Sequence, residues 1–282
     1  MTSTLKNDFL SATIKHFGAE LISLKSNFKE YIWEGNSVFW GKHSPVLFPI
    51  VGTLKDNSYL YNNKKYEMSR HGFARDKEFT VISQSDIEIV FSLKYDDETL
   101  KIYPFKFELQ LHYTLSKKKV SINYKIINLE EIEIPFSIGA HPAFALEENF
   151  ENYSLEFQEQ EVLKCFTLEN DLLSNNNYEI ELKNKKLPLS YSTFKNDALI
   201  FKSLQSKEIT ILENENPILK VKFNDFNNLG IWTKINASFI CIEPWLGYSD
   251  TLNTTGKLLE KEEIKILSSK SSIDYQFSIE IL

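Results

Sequence analysis

Only two cysteines, Cys165 and Cys241, occur in 282 residues. Two thiols in a chain this long make no disulfide framework, and neither falls in a CxxC or Cys/His metal spacing. Glycine is scarce too, at nine residues, so turns fall to asparagine and aspartate, as in YDDET, YNNKK, ENEN and FNDFNN. No stretch approaches the roughly 20 apolar residues of a membrane-spanning helix. The opening MTSTLKNDFL lacks the apolar core of a secretory signal. A soluble, cytoplasmic protein is the expectation. Positive charge is also in deficit: 32 Lys and Arg face 39 Asp and Glu, for a net charge of −7. No basic stripe exists to meet a phosphate backbone, which argues against nucleic acid as a partner. The densest basic cluster, SKKKVS at 116–121, sits between two strand-like runs and reads as a charged hairpin turn.

What the chain does have is alternation with a period of two. Ile87, Ile89, Phe91 and Leu93 share one face of a strand; so do Phe105, Phe107, Leu109, Leu111 and Tyr113, with Lys106, Glu108, Gln110 and His112 opposite. Val120, Ile122, Tyr124 and Ile126 repeat the pattern, as do Tyr275, Phe277, Ile279 and Ile281 near the C-terminus. Half-buried antiparallel strands read this way. Further strands are expected at ALIFKSL, EITILEN, ILKVKFND, LGIWTK and SFICIEPW. Helical periodicity is absent from every window of ten residues, although KEEIKIL has the look of a helical turn. No repeat of 20–50 residues and no Pro/Gly/Ser linker divides the sequence. The expected fold is all-β, a large antiparallel β-sandwich running over 1–282 as a single domain. Aromatics at 13% suit such strands and can also offer flat faces to sugar rings.

Four islands break the alternation: HSPVLFPIVGTLKDNSY (43–59), RHGFARDKEF (70–79), SIGAHPAFAL (137–146) and CIEPWLGYSDT (241–251). Loops on rigid sheets carry most sites. His141 ends an apolar run and precedes Pro142, which favours an extended backbone. It is either a core histidine with a satisfied hydrogen bond or a fixed proton carrier. Glu243 also ends an apolar strand before a proline, where burial raises a carboxyl pKa towards the range of a general base. The two make a plausible acid/base pair. His71 lies in RHGFARD, a segment that reads equally as a charged loop with Asp76 paired to Arg70 or Arg75. His112 belongs to a wet strand face, and His16 has no acidic partner in view; His43 is ambiguous. No GxSxG elbow, HExxH helix or glycine-rich phosphate loop occurs. His71, His141 and Glu243 nominally make three zinc ligands, but without a supporting short spacing. Asp197 with Glu243 formally makes a glycosidase carboxylate pair.

Taken in order, RHGFARD, IGAHPAF, FKNDALIF and CIEPWLGYSD resemble the aldose 1-epimerase (galactose mutarotase) family, and most of all its LacX-like bacterial subgroup. The resemblance runs from about residue 8 to the end. It implies a β-supersandwich with a sugar cleft, and interconversion of the α and β anomers of an aldose without metal or cofactor. By motif, Glu243 matches the base that takes the C1 hydroxyl proton, and His141 matches the acid that protonates the ring oxygen. His71 matches a histidine that hydrogen-bonds the sugar, and Asp197 matches the acid that grips its hydroxyls. Arg75 is expected near the substrate, and Trp232 or Trp245 is expected to offer a ring face to it. One departure stands out: relatives commonly carry an arginine after FPIVG, where this chain has Thr53, followed by Leu54 and Lys55. Lys55 lacks the planar fork of arginine. A hexose-6-phosphate 1-epimerase, with Arg70 or Arg75 at the phosphate, and a non-catalytic sugar-binding or sensing protein are the alternatives. The partner implied is a small aldohexose, and the assembly a monomer or homodimer.

Overall fold

The alternating runs around SKKKVS become one long hairpin. Strands Phe107–Ser116 and Lys119–Asn128 pair antiparallel with Leu111 opposite Tyr124 and Tyr113 opposite Ile122, in a computed structural model that describes residues 1–282. Lys117 takes the left-handed conformation (φ 53°) that a tight turn requires. Leu109, Leu111, Tyr113, Val120, Ile122 and Tyr124 are all buried. Each large apolar side chain so removed from water contributes about 1.5–3 kcal/mol before entropy is counted. A one-residue slip would turn that whole face to solvent, so the pattern fixes the register.

This hairpin lies within a nine-stranded antiparallel sheet, beside its central strand Ser272–Ile281. Across the core lies an eight-stranded sheet, whose path runs Leu172–Glu181, Val162–Glu169, Leu199–Phe201, Asn228–Trp232, Phe239–Leu246, Ile138–Ala140 and Val46–Leu47. Ala143–Ala145 pairs with the Phe239–Leu246 strand off that path. A single large apolar cluster draws side chains from both sheets. Residues 2–30 add a separate four-stranded sheet. The all-β sandwich expected from the alternation is the fold observed.

Some local expectations shift. Ile87 is exposed, ahead of the Glu88–Lys94 strand, and Phe105 is buried but precedes its strand. YDDET is not a plain turn. Asp96 accepts a hydrogen bond from Thr99 N, and the Thr99 hydroxyl answers from the other side, a capping box that starts the short helix Asp97–Ile102. The helical turn expected in KEEIKIL lies just before it, as a 3-10 turn at Leu258–Glu260, and Lys265–Leu267 is strand. No helix is long and apolar enough to cross a membrane.

Candidate active site

The strand Phe239–Leu246 is buried on both faces, and its two faces differ in kind. Ile240, Ile242 and Leu246 enter the main core between the sheets. The alternate residues Phe239, Cys241, Glu243 and Trp245 point to the other side, where the eight-stranded sheet bears an open cleft of about 560 Å³. On the neighbouring strand Gly139 lies opposite Trp245, and Ala143 lies opposite Cys241. The residue midway, His141, therefore falls beside Glu243. His141 Nε2 is 3.2 Å from Glu243 Oε2. Residues 102 apart in sequence are thus cross-strand neighbours.

Both members of the pair are deeply buried, at 7% and 2% exposure. Burial, aided by Asp197, pushes the Glu243 carboxyl well above the usual carboxylate range, against weaker opposition from Trp245 and Arg70. Burial and the nearby Arg75 push the His141 imidazole down to about 3. The resting pair is therefore a neutral carboxyl beside a neutral imidazole, with one proton between them. His141 Nδ1 and Glu243 Oε2 have no hydrogen-bond partner within the protein. Trp40 stacks on the imidazole at 4.7 Å and 24°, and the Trp232 ring meets it edge-on at 6.0 Å.

His71 joins from the RHGFARD loop, its ring 5.7 Å from that of His141. It takes the left-handed conformation (φ 67°), unusual outside glycine. Two bonds hold it there: His71 N–H donates to Gly52 O at 2.8 Å, and Gly52 N–H donates to His71 Nδ1 at 3.0 Å. Its Nδ1 is thereby an acceptor, which leaves the proton to Nε2. Gly72 follows because a Cβ there would sit 2.2 Å from Phe48 O. Desolvation first, then His141 and the two arginines, hold the His71 pKa well below normal.

The arginines are engaged in structural contacts. Arg70 pairs with Asp171 and donates from Nε to Thr53 Oγ1 at 2.8 Å. Arg75 donates to Arg70 O at 2.7 Å, and its Nε lies 3.6 Å from Asp76. Both still border the cleft. Asp197 sits at the rim, exposed and left-handed (φ 82°), accepting a hydrogen bond from Ala198 N. Lys195 and Lys234 line the same rim.

His43 is not part of the cleft: its Nδ1 lies 2.7 Å from Trp33 O, and its backbone N–H donates to Glu20. His16 is bound to Ser3 and packed edge-on against Phe91, and His112 bonds Gln110 on the outer strand face. Lys55 donates to Leu252 O, outside the cleft lining. Trp40 carried no signal beyond being an indole in a loop. Cys241 did carry one: it stands two residues before Glu243 on a strand, which puts both side chains on one face.

Trp245 lies on two glycines. A Cβ on Gly230 would meet its ring at 2.6 Å, and one on Gly139 at 2.8 Å. The indole forms part of the cleft beside Glu243 and is seated where both neighbouring strands lack side chains. Gly230→Ala is expected to tilt the ring, lowering stability by about 1–3 kcal/mol and raising KM for the ligand of the cleft. Thermal unfolding and saturation kinetics read the two effects; no change in either would contradict this seating.

An antiparallel β-sandwich with an open cleft on one sheet, walled by indoles and floored by a carboxyl–imidazole pair, defines a mutarotase-like protein. The family model described as aldose 1-epimerase matches residues 1–263, and the chain belongs to that family, which makes it an isomerase. It is 37% identical over 295 aligned positions to the plasmid-encoded protein LacX of Lactococcus lactis subsp. lactis, covering 97% of this chain and 98% of that one. Among solved structures, it resembles a galactose mutarotase related enzyme from Lactobacillus acidophilus (TM-score 0.95, 32% identity, 100% of this chain and 97% of the other). It also resembles a galactose mutarotase-like protein from Lactobacillus casei (TM-score 0.92, 28% identity, all of both chains).

Proposed function

We propose that the protein interconverts the α and β anomers of an aldohexose by general acid–base ring opening at Glu243 and His141. The observation that carries this reading is their 3.2 Å separation at the base of an open cleft. The anomeric carbon bears both the hydroxyl and the ring oxygen, so an acceptor for one and a donor for the other must be close neighbours. In the reactive tautomer Glu243 is a carboxylate and His141 an imidazolium. Glu243 takes the C1 hydroxyl proton, the C1–O5 bond breaks as C1=O forms, and His141 delivers its proton to O5. The pair is left as neutral carboxyl and neutral imidazole, the form burial favours, with its total of one proton unchanged. Rotation about C1–C2 and reclosure with the proton roles reversed give either anomer. The chemistry needs one shared proton and no other reactant.

His71 Nε2 donates to a sugar oxygen near C1, and Asp197 accepts from ring hydroxyls at the rim. Arg75 raises the positive potential beneath them. Trp232 and Trp40 cover the apolar face of the ring. Arg70 supplies the guanidinium that relatives place at position 53, since its Nε rests on Thr53 Oγ1; this is why the threonine is compatible with turnover. A phosphorylated hexose is the second reading, favoured by Lys195 and Lys234, whose side chains bound the cleft without an ion pair. The arginines are less suited to a phosphate because their charges already face Asp171 and Asp76.

Polarimetry of freshly dissolved α-glucose and α-galactose tests the reading. His141→Asn is expected to lower kcat by about 10²–10⁴ with little change in KM. A variant that raised KM alone would make His141 a binding residue. Faster turnover of glucose 6-phosphate than of glucose, lost in Lys195→Ala, would select the phosphorylated substrate.

A further inference from the structure

We propose that the cleft floor is also a site for a thiophilic divalent cation, with zinc as the type case, which binds His141, Cys241 and Glu243 and blocks the acid–base pair. One donor atom from each of the three residues lies within 4.8 Å of the others, and all three side chains are buried. Strand alternation puts Cys241 on the face of Glu243, and cross-strand register puts His141 beside Glu243. A tetrahedral cation with bonds of about 2.0–2.3 Å holds its ligands roughly 3.5 Å apart. The His141–Glu243 separation of 3.2 Å already matches, and the three donor atoms draw in from within 4.8 Å to complete the set.

Two features besides proximity point to a ligand. His141 Nδ1 and Glu243 Oε2 are both buried and both lack a hydrogen-bond partner. Buried polar atoms are usually satisfied, so the unpartnered Glu243 Oε2, which faces His141 Nε2 at 3.2 Å, marks a position for something that binds. The donor chemistry then selects it. One imidazole, one thiol and one carboxylate suit zinc or cobalt, whereas calcium and magnesium require a shell of oxygens. Two of the three ligands, His141 and Glu243, line the cleft through which the cation enters. As the metal–sulfur and metal–carboxylate bonds form, the Cys241 thiol proton and the Glu243 carboxyl proton both leave to solvent. Glu243 and His141 are then both coordinated, and neither can exchange protons with a sugar.

Cobalt(II) is the probe of binding, because a thiolate bound to it absorbs in the near ultraviolet independently of any enzymatic activity. The expected result is a saturable 1:1 charge-transfer band in the wild-type protein and in Cys165→Ala, absent from Cys241→Ala. Zinc should inhibit mutarotation competitively with sugar, and EDTA should reverse it. Cys241→Ala and Cys241→Ser should keep turnover while needing about tenfold or more zinc for the same inhibition. No band in the wild type, or a band that survives in both Cys241 variants, overturns the site. Inhibition equally strong in those variants does the same. The inhibition arm rests on the proposed function, but the absorption arm does not. A Cys241-dependent band in a protein without mutarotation would sink the enzymatic reading and leave the cation site standing.

Discussion

Glu243→Gln is expected to abolish catalysis while leaving the fold intact or firmer. Loss of the proton acceptor should lower kcat by about 10³-fold, within the range for general acid–base groups. Stability should move the other way. Burial holds the Glu243 pKa above its unfolded value of about 4.3. Its contribution is therefore fully present below about pH 4.3 and is lost as the pH rises towards the folded value, because the unfolded chain ionises first. Glutamine copies the neutral carboxyl and suffers no such loss. The melting temperature of Glu243→Gln should match the wild type at about pH 4 and exceed it increasingly towards pH 8. A variant that is destabilised at pH 8, or still active, contradicts the assignment.

In the proposed mechanism the same pair sets the pH profile. That mechanism needs one proton on the pair, so the acid limb marks uptake of a second and the alkaline limb marks loss of the first. With His141 held down to about 3, kcat/KM should show no acid limb between about pH 5 and 7, where an ordinary histidine titrates. Polarimetry across that range, corrected for spontaneous mutarotation, reads it directly. A limb near pH 6.5 would mean that the imidazole is not desolvated as described.

The second large effect lies outside the chemistry. Asp250 and Lys261 form an ion pair in which both residues are at most 5% exposed, with Nζ 2.9 Å from Oδ1 and 2.7 Å from Tyr248 O. Asp250 also accepts from Lys55 N through Oδ2, and its backbone bonds Thr53 O and Leu173 N. It ties together the chain at Thr53–Lys55, Leu173 and Lys261. Asp250→Ala leaves a buried lysine without its counter-charge, and a loss of about 3–5 kcal/mol is expected. Asp250→Ala with Lys261→Met should recover most of it, because the remaining cost is that of an unpaired charge rather than of the missing attraction. Chemical denaturation of the single and double variants decides; an additive double variant would refute the coupling.

The strands were legible because period two is a local property, visible in Leu109–Tyr113 and Val120–Tyr124 without knowledge of partners. The short helix at Asp97–Ile102 was missed because only six residues carry it and its signal is a cap, Asp96 with Thr99, rather than a periodic face. His141 and Glu243 stood out by chemistry, each an ionisable group closing an apolar run before a proline. Their meeting was not readable, since it depends on the register that sets Gly139 opposite Trp245. Thr53 read as a missing arginine, and only the course of the RHGFARD loop shows Arg70 resting on it. Trp40 arrives from a loop whose path is fixed by Glu20, Trp33 and His43, contacts with no sequence periodicity behind them.

Exchange between the two anomeric protons of glucose and of galactose, followed by magnetisation-transfer NMR at equilibrium with a trace of protein, tests the central claim most directly. Exchange should accelerate in proportion to wild-type protein, saturate with sugar, and vanish with Glu243→Gln even though that variant still binds the sugar. Exchange as slow with the wild-type protein as without it, for both sugars and their 6-phosphates, would mean that the cleft holds a sugar without opening its ring.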